Sequence, residues 1–300
     1  MRGIIMIHRY TLKYLEYQMK KLRYLIISDE QYRRKRFIQY FGFQPDMTSP
    51  RSFNEKIMYR MLMTPDPLFT RLADKLQARE FVRQQAGEQY LVPLLGVYRH
   101  ISEIDITAFP VQFVLKCNHD SGSVIICHDK NQFNIKEAFR KLAFCMKRNM
   151  YYTTREWQYR DIEPRILCEE YITRDPAKAG GYQADIYRVH CFDGNPGWIE
   201  VEYLDLNNRR HSGIYDPDWN MLPVCMGYPN PDVLQPVPAK FHELLGLAKK
   251  LTAGIDYCRA DFYLTESRIL FSEFTFSPSN GRETFTPNDW DYTFGSYWQL

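Results

Sequence analysis

Two neighbouring segments near the C-terminus carry the residue types best suited to chemistry. Tyr257–Leu264 and Ile269–Phe276 flank Thr265-Glu266-Ser267, the pattern of two strands joined by a tight turn. A strand period of two puts Arg259 and Asp261 on one face of the first strand, and Ile269, Phe271, Glu273 and Thr275 on one face of the second. The turn then brings Asp261 opposite, or one diagonal step from, the Phe271–Glu273 stretch. Two carboxylates, a hydroxyl and an arginine converge inside strands apolar enough to be buried, where a charge needs a partner or a metal. An oxygen-only set suits Mg2+, which completes its shell with water and substrate phosphate. A salt bridge from Arg259 to Asp261 or Glu273 accounts for the same residues without a metal.

Other polar residues interrupt apolar runs upstream. Asn118-His119-Asp120-Ser121-Gly122-Ser123 forms a small polar turn between Val111–Lys116 and Val124–Cys127. Its backbone N–H groups are suited to phosphate oxygens, with Lys116 as a point charge, although a plain hairpin turn has the same composition. Glu169 and Glu170 close the strand Arg165–Ile172, either at a surface edge or against a ribose. Arg188 sits mid-strand between Tyr187 and Val189 and requires an internal carboxylate or a ligand phosphate. The seven histidines show no HxH or HExxH spacing, and no GxSxG elbow is present, so zinc chemistry and triad hydrolysis are poor candidates. Glycine-run phosphate loops of the GxGxxG or GxxxxGK type are absent as well.

The elements that must position these residues read as follows. Asp193–Gly197 links strands Ala184–Phe192 and Trp198–Leu204 in the clearest hairpin. Helices are expected over Thr70–Gly87, from Asn134 along Ile135, Ala138, Phe139, Leu142 and Met146, and from about Ala239 to Leu251 with Gly254 as the stop. With 45% apolar and 25% charged residues, the 300-residue chain is a hairpin-rich, mostly antiparallel α+β globule. Seven scattered cysteines without CxxC read as buried thiols of a reducing cytoplasm. Residues 1–40 hold ten Lys/Arg against three Asp/Glu, a net +7, whereas the other 260 hold 29 against 33, a net −4. Ile4, Ile7, Leu12, Leu15, Met19, Leu22 and Ile26 recur near helical spacing among Arg9, Lys13, Lys20, Lys21 and Arg23. This basic amphipathic helix over 4–27 is either a peripheral anchor on an anionic membrane or a helix packed on the body. Nucleic acid is not an expected partner, because no basic stripe continues beyond it.

The order of these pieces resembles the ATP-grasp superfamily, and within it the TupA-like branch associated with teichuronic acid, capsule, O-antigen and other surface polysaccharides. Ser52-Phe53-Asn54-Glu55-Lys56, Ala73-Asp74-Lys75 with Arg79-Glu80, Phe113 to Ser123, Glu169-Glu170-Tyr171 and Phe271 to Phe276 carry the resemblance, which spans roughly 45–300. It implies two α+β lobes with mainly antiparallel sheets enclosing a nucleotide cleft. The divisions would be 1–40, a basic helical segment, and 41–300, the grasp region. Within the latter, about 41–110 is a helical part, 111–172 the nucleotide-covering lobe and 173–300 the metal and acceptor lobe. The implied cofactors are ATP and Mg2+. Lys116 would meet phosphates, with His119, Ser121, Gly122 and Ser123 folding over them. Glu169, Glu170, Tyr171 and Ile172 would hold adenine and ribose. Arg188, where the branch tends to have lysine, and Arg259 would neutralise reacting charge. Asp261, Glu273 and Thr275 would bind Mg2+, and Ser279, Asn280, Gly281 and Arg282 the acceptor, glycines being usual where Ser279 and Asn280 stand.

The activity implied is an ATP-dependent carboxylate–amine ligation through an acyl phosphate. The expected partners are a glycan or lipid-linked sugar carboxylate and a small amine, handled in the cytoplasm or on the inner face of its membrane. A sugar kinase or glycosyltransferase of glycan assembly, and a non-catalytic membrane-docked protein, are the competing classes.

Overall fold

The computed structural model describes residues 2–300, with side chains from Tyr10 onward except that of Ala179. The side chains of Ile4, Ile7 and Arg9 thus lie outside the described residues. The helices are α1 Arg2–Tyr24, α2 Asp29–Phe41, α3 Phe53–Met63, α4 Pro67–Ala73, α5 Lys75–Gln85, α6 Ile135–Met146, α7 Tyr151–Thr154, α8 Phe241–Leu251 and α9 Trp290–Ser296. The strands are β1 Leu94–Tyr98, β2 Phe113–Cys117, β3 Ile125–Cys127, β4 Ile166–Glu170, β5 Gln183–Phe192, β6 Asn195–Leu204, β7 Arg210–Tyr215, β8 Cys225–Met226, β9 Tyr257–Leu264, β10 Ile269–Thr275 and β11 Phe285–Thr286. Two compact units divide the chain: Met1–Arg36, Pro65–Gln77 and Val92–Tyr171 make unit 1, and Phe37–Thr64, Ala78–Leu91 and Ile172–Leu300 make unit 2.

Unit 1 is built on an antiparallel sheet of order β1-β4-β2-β3. Phe113, Leu115 and Cys117 on β2, Ile166 and Cys168 on β4, and Leu142 and Cys145 on α6 form its core. Asn134 starts α6 by accepting from the Glu137 N–H at 3.1 Å. The helix expected over Thr70–Gly87 is two helices. Asp74 is extended (φ −72°, ψ 109°), and its carboxylate caps α5 at Leu76 N (2.9 Å) while accepting from Asn118 Nδ2 (2.8 Å). An aspartate that can bond the backbone in this way competes with helix continuation.

Unit 2 is built on an antiparallel sheet of order β10-β9-β5-β6-β7, with a small β8/β11 ladder beside it. β5 and β6 meet in a two-residue turn, Asp193 (φ +46°) and Gly194 (φ +75°), so β6 already begins inside the stretch expected as loop. Gly194 is required by space as well, since a Cβ there would lie 3.0 Å from Ala253 Cα. One face of the sheet buries Val189, Val201, Ala260 and Phe262, and α8 lies against β5 and β6.

The β9–β10 pairing corrects the expected faces. Phe271 pairs with Phe262 and Glu273 with Asp261, so a bulge at Ser272 breaks the alternation. Ile269 and Phe271 consequently join the buried apolar face, and only Glu273 and Thr275 share the face of Asp261 and Arg259. Inserting one residue lets two large apolar side chains and two polar ones each reach the side that suits them.

Candidate functional site

The polar face of the unit 2 sheet has two ends. At one end α3 supplies Phe53 and Ile57, α9 supplies Phe294 and the segment after it Trp298, to a fully buried cluster with Trp198 and Tyr257. At the other end the charged groups collect. Arg188 sits at register opposite both Glu200 on β6 and Asp261 on β9. Its guanidinium donates to Glu200 (2.6 Å) and Glu202 (2.8 Å), and its Nε lies 3.8 Å from Asp261. Glu202 also holds Arg210 at 2.7 Å. Arg259 forks onto both oxygens of Asp261 (2.8 and 2.7 Å) and donates to Thr275 Oγ1 at 3.1 Å.

For both arginines the alternative that needs no ligand is the one present: Arg188 meets internal carboxylates, and Arg259 pairs with Asp261. Burial pushes the Asp261 carboxyl up to about 6 against the pull of Arg259 and Arg188, and Glu273 adds to the rise. Burial also disfavours the Glu200 carboxylate, but the Arg188 charge and His190 outweigh it and hold this group at about 2. A charge network of this density inside a sheet is a functional-site candidate as well as a structural tie.

The oxygen set of Asp261, Glu273 and Thr275 fits a hard cation in its chemistry. Each Asp261 oxygen accepts one N–H from Arg259 and keeps a further lone pair, as does Thr275 Oγ1. Among the described residues no cluster of three or more His, Cys, Asp or Glu surrounds a common metal position. Such a cation would draw most of its shell from water and ligand phosphate, as Mg2+ commonly does.

In unit 1, Lys116 and Glu169 are diagonal neighbours on β2 and β4 and form a buried ion pair of 2.6 Å. A cation and a carboxylate placed together match a ligand that carries phosphate and hydroxyl groups. The loop between β2 and β3 is anchored more firmly than expected. Asn118 receives the Arg165 N–H at 2.7 Å, Lys75 Nζ donates to Asp120 O at 2.8 Å, and Ser123 Oγ donates to the Asp120 carboxylate at 2.5 Å. His119 is buried, its Nε2 within 3.3 Å of Cys145 O and 3.1 Å of Arg148 O. Burial lowers its basicity. His119 and Ser123, expected to cover phosphate, thus turn inward because the loop stem needs them as ties. Of residues 118–123, Ser121 and Gly122 are the exposed ones, with Gly122 at φ +100°. Tyr171 closes unit 1, its ring edge-on to His128 at 5.1 Å, and Ile172 opens the last segment of unit 2.

Ser279, Asn280 and Gly281 are consecutive left-handed residues (φ +48°, +57° and +66°). Glycine needs no strain there, whereas serine and asparagine tolerate it with help: Ser279 Oγ donates to Glu283 at 2.6 Å. Glu283 is pushed up by burial and by the Glu200 charge, with Ser279 and Arg259 opposing, which ties this turn electrostatically to the charged end of the sheet. Arg282 is half-buried beside it. The Ser52–Lys56 motif anchors the same turn. Ser52 and Glu55 form a capping box on α3, Asn54 exchanges hydrogen bonds with the Glu283 backbone, and Lys56 donates to Gly295 O and Trp298 O.

Glu200, Glu202, His190 and Glu283 were not singled out from the sequence. Period-two alternation from Trp198 through Glu200 to Glu202, set against Arg188 across the 193–194 turn, carried the signal for the first two.

Antiparallel sheets in two α+β units, with a buried Lys–Glu pair in one and a carboxylate–arginine face in the other, define an ATP-grasp-type protein. The TupA-like ATP-grasp family profile matches residues 55–299, and the chain belongs to that family. No curated protein matches it. Among solved structures it is similar to the D-alanine–D-alanine ligase of Bacillus anthracis complexed with ATP (12% identity, 69% of this chain and 54% of that one, TM-score 0.38). It is similar to the D-alanine–D-alanine ligase of Helicobacter pylori (13%, 75% and 56%, TM-score 0.43). A third is the ADP complex of N5-carboxyaminoimidazole ribonucleotide synthetase (8%, 70% and 46%, TM-score 0.42). The chain spans about half the length of each.

Proposed function

We propose that the chain is an ATP- and Mg2+-dependent carboxylate–amine ligase of surface polysaccharide assembly, joining an amino acid or amino sugar to a uronic acid on a glycan or lipid-linked sugar. The observation that carries the reading is the charged end of the unit 2 sheet, where Asp261 pairs with Glu273 beside Arg259 and Arg188, in a chain of the TupA-like ATP-grasp family. Its place would be the cytoplasm, at the inner face of the membrane that presents lipid-linked sugars.

In this reading Lys116 leaves Glu169 for nucleotide phosphate, Glu169 turns to the ribose, and the exposed N–H groups of Ser121 and Gly122 lie over phosphate oxygens. Glu170, Tyr171 and Ile172 offer backbone to the base. Asp261, Glu273 and Thr275 would hold Mg2+. ATP when bound supplies the phosphoryl group that turns a carboxylate into an acyl phosphate open to an amine, and Mg2+ offsets phosphate charge. The chain's own residues work by position and charge rather than as nucleophiles. Arg188 is held rigid by Glu200 and Glu202, Arg259 by Asp261 and Thr275, and both present fixed cations. The turn 279–282 would receive the acceptor.

Mass spectrometry after incubation with ATP, Mg2+, a uronic-acid glycan and mixed amino acids tests the proposal. An amide-sized mass increment with release of inorganic phosphate is expected. A phosphorylated sugar without free phosphate means a kinase, and ATP consumption without either product overturns both. Glu273→Gln should abolish ATP turnover while the melting temperature stays near that of the parent; full turnover in that variant removes the metal assignment.

A further inference from the structure

Among the described residues, α1 is apolar on two opposite faces, one packed within the chain and the other exposed. Tyr10, Tyr17 and Tyr24 fall within about 40° of one another at 100° per residue, and this stripe packs on unit 1. Tyr10 OH donates to Glu137 at 2.9 Å, Tyr17 OH accepts from Asn149 N at 3.0 Å, and Tyr24 lies edge-on to Tyr151 and Tyr152. Leu12, Leu15, Met19 and Leu22 make a second stripe about 180° away, and each is 53–62% exposed. Leu25 and Ile26, just past the helix end, extend it at 76% and 83%. A helix that only covered the body would present polar residues on that outer side.

The flank between the stripes is basic. Lys13 and Lys20 line a cavity of about 600 Å³ together with Lys141 and Arg148, and the loop tip Ser121-Gly122 reaches the same cavity. Of its acids, Glu16 is bound to Lys20 at 2.7 Å and Glu137 accepts from Tyr10. Arg148 Nε is buried without a hydrogen-bond partner. Among the described residues no helix is long and apolar enough to cross a membrane.

We propose that α1 seats unit 1 on an anionic lipid bilayer, with the leucine stripe at the acyl boundary and the basic cavity along its edge facing lipid phosphate. Exposed leucines beside a cationic edge are the complement of an interface that is apolar below and anionic above. The proposal is independent of the ligase reading. On the ligase reading it would also place the loop tip next to the headgroup layer, where a lipid-linked acceptor would be presented.

Co-sedimentation of the full chain with phosphatidylcholine vesicles, with and without phosphatidylglycerol, is the test. Truncating the helix is unsuitable, because Tyr17 and Tyr24 belong to the packing of unit 1. Binding is expected only when phosphatidylglycerol is present, and should weaken as salt is raised. Leu15→Glu with Leu22→Glu should lower partitioning by at least about tenfold, and Lys13→Gln with Lys141→Gln by about tenfold. Melting temperatures and the Mg-ATP-induced shift should stay as in the parent. If the variants melt early, the salt and lipid dependence of the parent chain decides. Absence of binding, binding indifferent to phosphatidylglycerol, or partitioning unmoved by the leucine changes overturns the proposal. So does a dimer in light scattering that the leucine changes dissolve, because the stripe then serves a second copy. Stabilisation by inorganic phosphate without vesicle binding does the same, because the cavity then takes a soluble anion.

Discussion

The two ends of one sheet face in unit 2 solve opposite problems on the same strands. Trp198 and Glu200 are two residues apart on β6, Tyr257 and Asp261 four apart on β9, and His190 and Arg188 two apart on β5. Toward α3 and α9 the face is closed by rings: Trp198 stacks on Phe294 at 3.9 Å and on His190 at 4.2 Å. Toward Glu273 it is filled by guanidinium and carboxylate. Stacked rings gain from dispersion and apolar burial and leave nothing to exchange with a ligand. Buried ion pairs recover little net stability after desolvation, but their hydrogen bonds can be traded for those of a charged ligand. Local packing is spent on the fold at one end, and local charge is kept for chemistry at the other.

The largest effect should come from breaking the aromatic end. Trp198 is fully buried and among the largest side chains with no exposure, so Trp198→Ala should cost about 5 kcal/mol, the upper end for a buried aromatic, in chemical denaturation. The Mg-ATP-induced rise in melting temperature should survive wherever the variant remains folded. Loss of that rise at full secondary structure would mean that the two ends are not separable.

Next in size is Arg188→Met. It leaves Glu200 without a guanidinium and Glu202 with that of Arg210 alone, and should cost about 3 kcal/mol, given the partial exposure of Arg188. Adding Glu200→Gln and Glu202→Gln should restore most of the stability yet not the ATP-dependent activity. Recovery of both would reduce the charged end to a tie within the sheet, the bland alternative already visible in the strand pattern.

Much of this frame was legible in the residues. The hairpins β2–β3, β5–β6 and β9–β10, the helices α6 and α8, the confrontation of Asp261 with Glu273 and the family all followed from periodicity, turn residues and motif order. What escaped depended on long-range pairing. The bulge at Ser272 has only a faint local trace, the two successive polar residues Ser272 and Glu273, and it is the burial of Phe271 against Phe262 that demands the extra residue. Glu200 and Glu202 drew no reading from the sequence, because the arginines that pair with them, Arg188 on β5 and Arg210 on β7, come from neighbouring strands. His119 and Ser123 have the composition of a ligand loop, yet they bond inward to carbonyls and carboxylates brought by α6 and by the loop itself. The short strands β1 and β7 have no pattern strong enough to stand out before β4 and β6 pair with them.

His190 stands on the border and sharpens the comparison most finely. It stacks on Trp198, its Nδ1 lies 3.0 Å from Tyr257 OH, and its Nε2 lies 3.9 Å from Glu200. Burial lowers it to about 4, more strongly than Glu200 can raise it, with Arg259 and Arg188 adding to the fall. A histidine depressed in the folded state stabilises fully above its ordinary value and loses that contribution as pH falls from about 6.5 to about 4, a span worth about 3 kcal/mol. Asp261 runs the other way over much of the same range: raised to about 6, it gains stability as pH falls through that value, so the parent curve alone mixes the two. The informative quantity is the difference between the parent and His190→Gln, which keeps an acceptor for Tyr257. That difference should move against the parent as pH falls from 6.5 toward 4 in urea unfolding, and should be flat above pH 7. A difference that stays constant from pH 7 to 4 would assign His190 to the polar end, sharing a proton with Glu200, rather than to the aromatic end as a buried neutral ring.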